Sequence, residues 1–591
     1  MKIVPVAPSA VPPSSGPSAA PSPVAAARPS SSFEPGARRQ APVALVPPVV
    51  PEARTGPVPL DSAKAQSAIQ QTQAALAPRG QGLAPAGGDS YVPLQVNQDA
   101  VGGAHVRMQR MFEGTKVFGE QRIGHLDRGG ALTDVTGESA PIPAGLGDQA
   151  KLSPEQAESA ARESFGKAPD EQPSVEKVIF QDDQGNYRSG YHVEMADLSG
   201  PGLARRMNYL VDGATGQVAK SWNALGGFAD PRLEEQPQQA AAFPQLPQQP
   251  RPSPFPFPRP GPNPGAGQGT AASTGADDRT MYSGTVDLTT TRLQNGQHVL
   301  ADPTRGGGVE TRDAQNRQTD AGSVAIVDNN GHFGETTDSL RQRGAVDAQY
   351  GATMTYDFLK DVLGRNSIDG RGEKLVNNVH LGNNWVNAQW NGRQMDYGDG
   401  DGRVSPLTTL DIAGHEITHG LTERTAGLVY SGESGGLNEA FSDIMGTGVE
   451  WYASQKNPNV KSNWTIGESA FKPNGLRSMS NPTSDGRSVD HYSRYRPGMD
   501  VHFSSGIANN AFYLLANGGT NRTSGRGVAG GIGIEKGLKI FGQALTNYMA
   551  PNTNFSGARA ATIRAATDLY GAASPEVQKV KDAWTAVGVL R

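Results

Sequence analysis

The sequence predicts an α+β protein: two small α+β units, a Pro-rich linker, and a larger two-lobed region, β-rich first and helical second. Three observations carry this. The chain has 591 residues, too many for one hydrophobic core. Between residues 61 and 225, helix-like periodicity and strand-like alternation follow one another twice. From about 280 to Arg591, strand- and loop-rich sequence up to about 400 gives way to largely helical sequence.

Residues 1–60 are rich in Pro, Ala and Ser, and cannot bury enough surface to offset ordering entropy. Disorder is expected there. Prolines interrupt MKIVPVAPSAVPPSSGPSAAPSP every few residues, so no ordinary secretory signal is read. No apolar run approaches the roughly 18 residues of a membrane span. The first unit, 61–140, is read as a helix over 63–76, strands within 92–96 and 105–124, and a DRGG turn at 127–130. The second, 150–225, opens with a helix over 153–165, capped by Ser153 with Glu155 in the first turn. Strands follow at 176–181, 187–195, 206–211 and 217–222, with a turn at Asp212-Gly213. Residues 226–279, centred on PSPFPFPRPGPNPG, form an extended, cleavable linker. The last two divisions are 280–420, an N-terminal lobe that includes the site helix, and 421–591, a helical C-terminal lobe. A cleft between them is expected.

A net charge of −5 gives no reason to expect a nucleic-acid or anionic-membrane partner. The chain has no cysteine, which excludes disulfides, thiolate metal sites and cysteine nucleophiles. Any metal must be held by His and carboxylates.

The segment DIAGHEITHGLTERTAGLVY contains His415, Glu416 and His419. On a helix, positions i and i+4 share a face, so both imidazoles reach one ion. Glu416 sits beside them, where a carboxylate can hold and deprotonate a metal-bound water. Zinc catalysis needs a third ligand and an open fourth position. Glu439, in GGLNEAFSDIMG, follows His419 at a distance that suits a helix, a turn and a second antiparallel helix. Asp443 lies on the same face as Glu439, and is placed to accept the second N–H of a ligating histidine.

HEITH, TAGLVY, GGLNEAFSD, LRSMS and VHFSSGI, in that order and spacing, resemble the thermolysin family of zinc metalloendopeptidases, in its elastase-like bacterial branch. The resemblance covers about 280–591, from MYSGTV to the tail TNYMAPNTNFSGARAATIRAATDLYG. It implies a thermolysin-like two-lobed zincin domain hydrolysing peptide bonds through a zinc-activated water, with Glu416 as general base and cleavage before bulky apolar residues. Tyr430 and His502 correspond to the family's oxyanion donors, and Asp500 is placed to orient His502. Arg477 matches the arginine that binds the substrate carbonyl. Asn387 and Ala388 match the edge-strand residues that pair with the substrate backbone, a common mode of peptide recognition; Gln389 departs from the family's usual aromatic. Ile412, Leu476, Val404 and Leu407 would line the pocket beyond the scissile bond.

A calcium site is also implied, with Asp411, Glu450 and Glu468 as hard oxygen ligands. Asn463 and Thr465 stand where the family often has carboxylates, which favours one ion over two. The YGDGDG run at 397–402 resembles the start of a calcium loop but lacks its final Glu, and is read as a turn.

HVRMQRMFEGTKVFGEQRIGHL and NYLVDGATGQVAKSW resemble the two modules of the family's propeptide, a folding aid and inhibitor of its own enzyme. Family resemblance implies secretion. Two other readings compete. A binding protein that keeps the fold without turnover is opposed by the filled chemical positions. An aminopeptidase would need an acidic subsite for the free amine, and no such motif lies near the site helix.

Overall fold

The structure, a computed structural model, describes residues 55–77, 88–137, 139–198, 205–228, 270–273, 277–335, 338 and 340–590. The expected disorder over 1–54 and the linker reading of 229–269 and 274–276 lie outside the described residues.

The two N-terminal units share one sheet. Its strands are β1 (Gly56–Val58), β2 (Asp89–Gln98), β3 (Ala104–Phe112), β4 (Thr115–Leu126), β5 (Leu132–Thr136), β6 (Ser174–Gln181), β7 (Tyr187–Asp197), β8 (Arg205–Asp212) and β9 (Val218–Asn223). Their order is β1-β2-β3-β4-β6-β7-β8-β9, with β5 also on β4. The halves meet at a short parallel seam, where Lys116 and Val117 of β4 pair with Val178 and Ile179 of β6. Each half has its own helix and apolar cluster. Helix α1 (Ala63–Leu76) buries Ala65, Ala68 and Ile69 against Val96, Val106 and Met108. Helix α2 (Pro154–Phe165) buries Ala157, Ala161 and Phe165 against Tyr191, Val193 and Val211. Ser153 caps α2 reciprocally: its hydroxyl accepts from the Gln156 amide, and Gln156 Oε1 accepts from the Ser153 amide. Such caps contribute about 1 kcal/mol.

One expectation is corrected here. Gly56–Val58 falls in the stretch expected to be disordered, yet it is an edge strand paired with Val96–Gln98. A sheet edge offers unpaired main-chain groups to any extended segment, so the pairing leaves no side-chain pattern to read.

The C-terminal region contains a mixed sheet of β10 (Ala301–Asp302), β11 (Val309–Asp313), β12 (Val324–Ala325), β13 (Leu375–Leu381), β14 (Ala388–Trp390) and β15 (Met395–Gly398). The order is β10-β11-β13-β15-β14, with β12 on β11. The three strands β11, β13 and β15 are parallel neighbours, and β14 is the antiparallel edge. Within this stretch, expected to be strand- and loop-rich, runs α3 (Leu340–Asp361), a helix of 22 residues. It buries apolar Val346, Tyr350 and Phe358, but also polar Asp347, Gln349 and Thr355. Those polar groups are satisfied internally: Asp347 accepts from the Met281 amide at 2.6 Å and Gln349 meets Thr311 at 2.8 Å. A helix buried on all sides with hydrogen-bonded polar residues lacks the one-sided apolar stripe that marks a surface helix.

Two long helices follow, α4 (Leu410–Glu423) and α5 (Gly432–Ser454), packed against each other. Glycines set how closely they cross. A Cβ on Gly446 would lie 2.4 Å from the Asp411 carbonyl oxygen, and one on Gly414 would lie 2.9 Å from Gly446 Cα. This close approach brings side chains from both helices to one point. Behind them, the short α6 (Val501–Ser504) leads into α7 (Gly506–Asn517), which with α8 (Ile534–Asn547), α9 (Phe555–Tyr570) and α10 (Pro575–Ala586) shares the core that holds Phe441, Phe512, Phe541 and Trp584.

The N-terminal sheet docks on the helical lobe. Arg107 Nη1 donates to the Met549 carbonyl at 2.7 Å, and Gln543 Nε2 donates to Asp99 at 3.2 Å. The Tyr548 ring stacks on His125 with centroids 4.6 Å apart. Val178, Phe180, Leu210 and Trp222 of the sheet form a cluster against which Val429 and Tyr430 pack.

Candidate metal centre and active site

Crossing helices α4 and α5 bring His415, His419 and Glu439 together, all buried. The two Nε2 atoms are 3.0 Å apart, and each lies 3.4–3.6 Å from a Glu439 oxygen. One ligand atom from each residue falls within 4.8 Å of the others, and among the described residues this is the sole such group of three. The other ring nitrogens are held. His415 Nδ1 is 2.9 Å from Asp443 Oδ1, while His419 Nδ1 lies 2.8 Å from Asn438 Oδ1 and 3.2 Å from Ser442 Oγ. Burial pushes both imidazoles down to about 4, so they are neutral, the ligating form.

Asp443 anchors more than one group. It accepts from Arg477 Nε at 2.8 Å, from Arg477 Nη2 at 2.7 Å and from Asn509 Nδ2 at 2.7 Å. Burial opposes its charge, but Arg477 and His415 outweigh burial and hold the carboxyl well below the usual range. Glu416 is fully buried, and both its carboxylate oxygens lack a hydrogen-bond partner. Burial, then the charge of Glu439, raise its pKa well above the ordinary value. Two neutral imidazoles converging with a carboxylate, beside a second carboxylate with free oxygens, fit a four-coordinate zinc with one open position.

Around this centre stand the other expected residues. The Tyr430 hydroxyl donates to Glu439 Oε1 and lies 3.4 Å from His502 Nε2. Asp500 caps α6 by accepting from the His502 amide at 2.8 Å, and the same oxygen is 2.8 Å from His502 Nδ1. Burial works against charge on His502, yet Glu439 and Asp500 prevail and push it up to about 9. Ala388 begins the β14 edge and Asn387 immediately precedes it, both buried. Leu407 and Ile412 belong to the main core, with Val404 and Leu476 packed against it.

The sequence reading did not include Asn438 and Ser442 as partners of His419, nor the occupant of the cleft. Gly226, Gly227 and Phe228 run along β14: Gly227 bridges Gln389 antiparallel, and the Phe228 amide donates to the Ala388 carbonyl at 2.9 Å. A cleft of about 780 Å³ at this point is lined by Gly226, Gly227, Asn387, Tyr430, Asp500 and His502, among others.

Asp411, Glu450 and Glu468 form a separate acidic cluster next to α4. Asp411 accepts from the Gly467 amide at 2.6 Å, and Asn463 bridges the other two through its amide at 3.1 Å and its Nδ2 at 2.7 Å. Burial and the charge of Asp411 push Glu468 up to about 7, and its buried Oε2 has no donor. Carboxylates gathered without a cation partner fit a hard divalent ion such as calcium. Of the 397–402 run, Tyr397 and Gly398 close β15, and 399–402 form a loop in which Asp401 accepts from the Arg403 and Val404 amides at 2.9 Å each.

An HExxH helix crossing a second helix that supplies a glutamate, with a β-strand edge along the cleft, defines a metallopeptidase. Three family models match in order: the Fungalysin/Thermolysin Propeptide Motif over 89–139, the thermolysin metallopeptidase catalytic domain over 275–423, and its alpha-helical domain over 426–589. The chain is 37% identical over 524 residues to bacillolysin of Bacillus cereus, covering 85% of each. It is 38% identical over 512 residues to thermolysin of Bacillus sp. (strain EA1), covering 83% of this chain and 84% of that one. The chain belongs to the thermolysin family of zinc metalloendopeptidases and carries that family's propeptide motif. Among the described residues, no helix is long and apolar enough to cross a membrane.

Proposed function

We propose that this endopeptidase divides its chemistry among the residues around His415, His419 and Glu439, and that it cleaves before bulky apolar residues. The observation that carries the reading is the convergence of those three ligand atoms beside the free carboxylate of buried Glu416. Bound zinc supplies a Lewis acid that polarises a carbonyl and lowers the pKa of water. Glu416 takes the proton of the attacking water and passes it to the leaving amine. Tyr430 and His502 donate to the developing oxyanion, with Asp500 holding the His502 ring. Arg477 donates to the carbonyl of the residue that follows the scissile bond. Asn387 and Ala388 pair with the substrate main chain. The Asp411, Glu450 and Glu468 cluster is assigned to calcium.

Burying a large apolar side chain contributes about 1.5–3 kcal/mol, roughly a 10- to 150-fold preference. Blocked peptides that differ in the residue after the scissile bond, Leu or Phe against Asp, test this through kcat/KM. Equal rates for the two classes would refute the specificity.

An inhibited precursor suits export, because an active endopeptidase endangers the cell that makes it. The docking of the propeptide is predicted to be acid-sensitive. His125 sits 2.8 Å from His105 and 2.6 Å from Thr136, under the Tyr548 ring and near Arg107 and Arg564; His105 in turn meets Asp99 at 3.0 Å. Burial, with help from neighbouring positive charge, holds its pKa well below the ordinary 6.5. The folded state therefore refuses a proton that the unfolded state takes up. Above pH 6.5 this makes no difference; as pH falls below it, the folded state loses about 1.4 kcal/mol per unit until the folded pKa is reached. Melting of the uncleaved chain at pH 7 and pH 5 should show a smaller acid shift in His125→Gln. Equal shifts in both chains would count against the assignment.

A further inference from the structure

We propose that Gly227–Phe228 is the first bond this enzyme cuts in its own chain, leaving the Pro-rich segment attached to the catalytic part. The proposal rests on the reading of Glu416 and the zinc trio given above.

The backbone at this bond lies as a substrate would. The Gly227 carbonyl oxygen is 2.7 Å from His502 Nε2, the ring assigned to the oxyanion. The next amide, of Phe228, donates to the Ala388 carbonyl at 2.9 Å on the β14 edge. The Phe228 carbonyl accepts from Arg477 Nη1 at 3.1 Å. Carbonyl, amide and carbonyl thus meet three separate groups in sequence order, which fixes both register and direction.

The side chains agree. Phe228 is fully buried, edge-on to His415 with centroids 5.2 Å apart, 6.1 Å from Phe471 and beneath the Arg477 guanidinium at 5.1 Å. It occupies the position of a bulky apolar residue after the scissile bond. On the other side, the main chain runs so close to His419 that a side chain at Gly226 is excluded, and close enough to Asn387 that one at Gly227 is crowded. A Cβ on Gly226 would lie 2.6 Å from His419 Nε2, and one on Gly227 would lie 3.0 Å from Asn387 Nδ2. Gly-Gly-Phe is therefore shaped for this cleft.

The reaction is a simple hydrolysis. Water oxygen bonds to the Gly227 carbonyl carbon, the Gly227 C–N bond to Phe228 breaks, and Glu416 carries the water proton to the departing amine. The products are a Gly227 carboxylate and a Phe228 amine. Among the described residues, the first strand of the C-terminal region begins at Thr270. The new N-terminus therefore lies upstream of the Pro-rich stretch.

The test uses the full chain, made as wild type, Glu416→Ala, Phe228→Asp and Phe228→Leu. Fragment termini are read by mass spectrometry over time, and blocked-peptide cleavage is followed in parallel. The expected early wild-type fragments end at Gly227 and begin at Phe228. Glu416→Ala stays whole at this bond, Phe228→Leu is cut there, and Phe228→Asp is cut at least tenfold more slowly. Wild type that gains blocked-peptide activity while Gly227–Phe228 stays intact overturns the proposal alone, as does cutting there in Glu416→Ala. Should wild type neither process nor cleave blocked peptides, the reading of the site fails and the proposal with it.

Discussion

Glu416→Gln is expected to retain zinc and lose peptidase activity by about 10²–10⁴-fold, the usual contribution of a positioned acid–base group. Gln has nearly the shape of Glu, so the buried site stays filled and helix α4 keeps its packing. The three ligand residues are untouched: the two imidazoles are oriented by Asp443, Asn438 and Ser442, and Glu439 accepts from Tyr430, none of them through Glu416. What is lost is the ability to accept a proton from water and return it to the amine. The loss should appear in kcat with little change in KM, since the effect belongs to the transition state. The variant must be processed in trans by wild-type enzyme before assay, because Gly226–Gly227–Phe228 otherwise occupies the cleft. Zinc content by metal analysis and blocked-peptide kinetics together decide the matter. A zinc-loaded variant with parental activity would remove Glu416 from the mechanism.

Much of this site was legible before any coordinates, and the reason is local geometry. His415 and His419 are one helical turn apart, and Glu439 and Asp443 are one turn apart on the next helix. Two short spacings on two helices leave little freedom once the helices cross. Helix α1 was legible because its register is amphipathic, and α2 because Ser153 reads as an N-cap with Glu155 in the first turn. Three features were not legible, each for its own reason. Helix α3 buries Asp347 and Gln349 with partners far along the chain, which masks its period. The common sheet of the N-terminal units depends on a seam of main-chain pairs at 116–117 and 178–179, which no side-chain pattern announces. The occupancy of the cleft by Phe228 is a long-range contact with Ala388 and Arg477. From sequence alone, Gly-Gly-Phe at the start of a linker is only a turn-like tripeptide. Its meaning comes from what the fold places opposite it.

The largest structural penalty is expected at Asp443. Its two oxygens hold His415, Arg477 and Asn509 at 2.7–2.9 Å, all inside the protein. Asp443→Ala leaves the Arg477 guanidinium buried with its contact to the Phe228 carbonyl at 3.1 Å and a longer one to Glu439 Oε2 at 3.5 Å, and no close carboxylate. Removing one partner of a buried ion pair costs about 3–5 kcal/mol, since the other charge stays desolvated. The same change frees the His415 ring, and loss of such an orienting partner lowers metal affinity by about 10- to 100-fold. Two readouts separate these effects: melting of the metal-free chain reports the stranded arginine, and competition with a chelator reports the ring. Asp443→Asn distinguishes shape from charge, because it fills the space and keeps an acceptor but cannot neutralise Arg477. It should recover part of the metal affinity and less of the stability. The sign with pH follows from the lowered carboxyl: the Asp443 contribution is complete above the ordinary aspartate value of 3.8 and is lost as pH falls below it. Asp443→Ala should therefore differ most from wild type at neutral pH and converge with it in strong acid. A variant that melts with the parent at pH 7 and holds zinc as tightly would show that Arg477 and His415 are positioned by the surrounding helices alone.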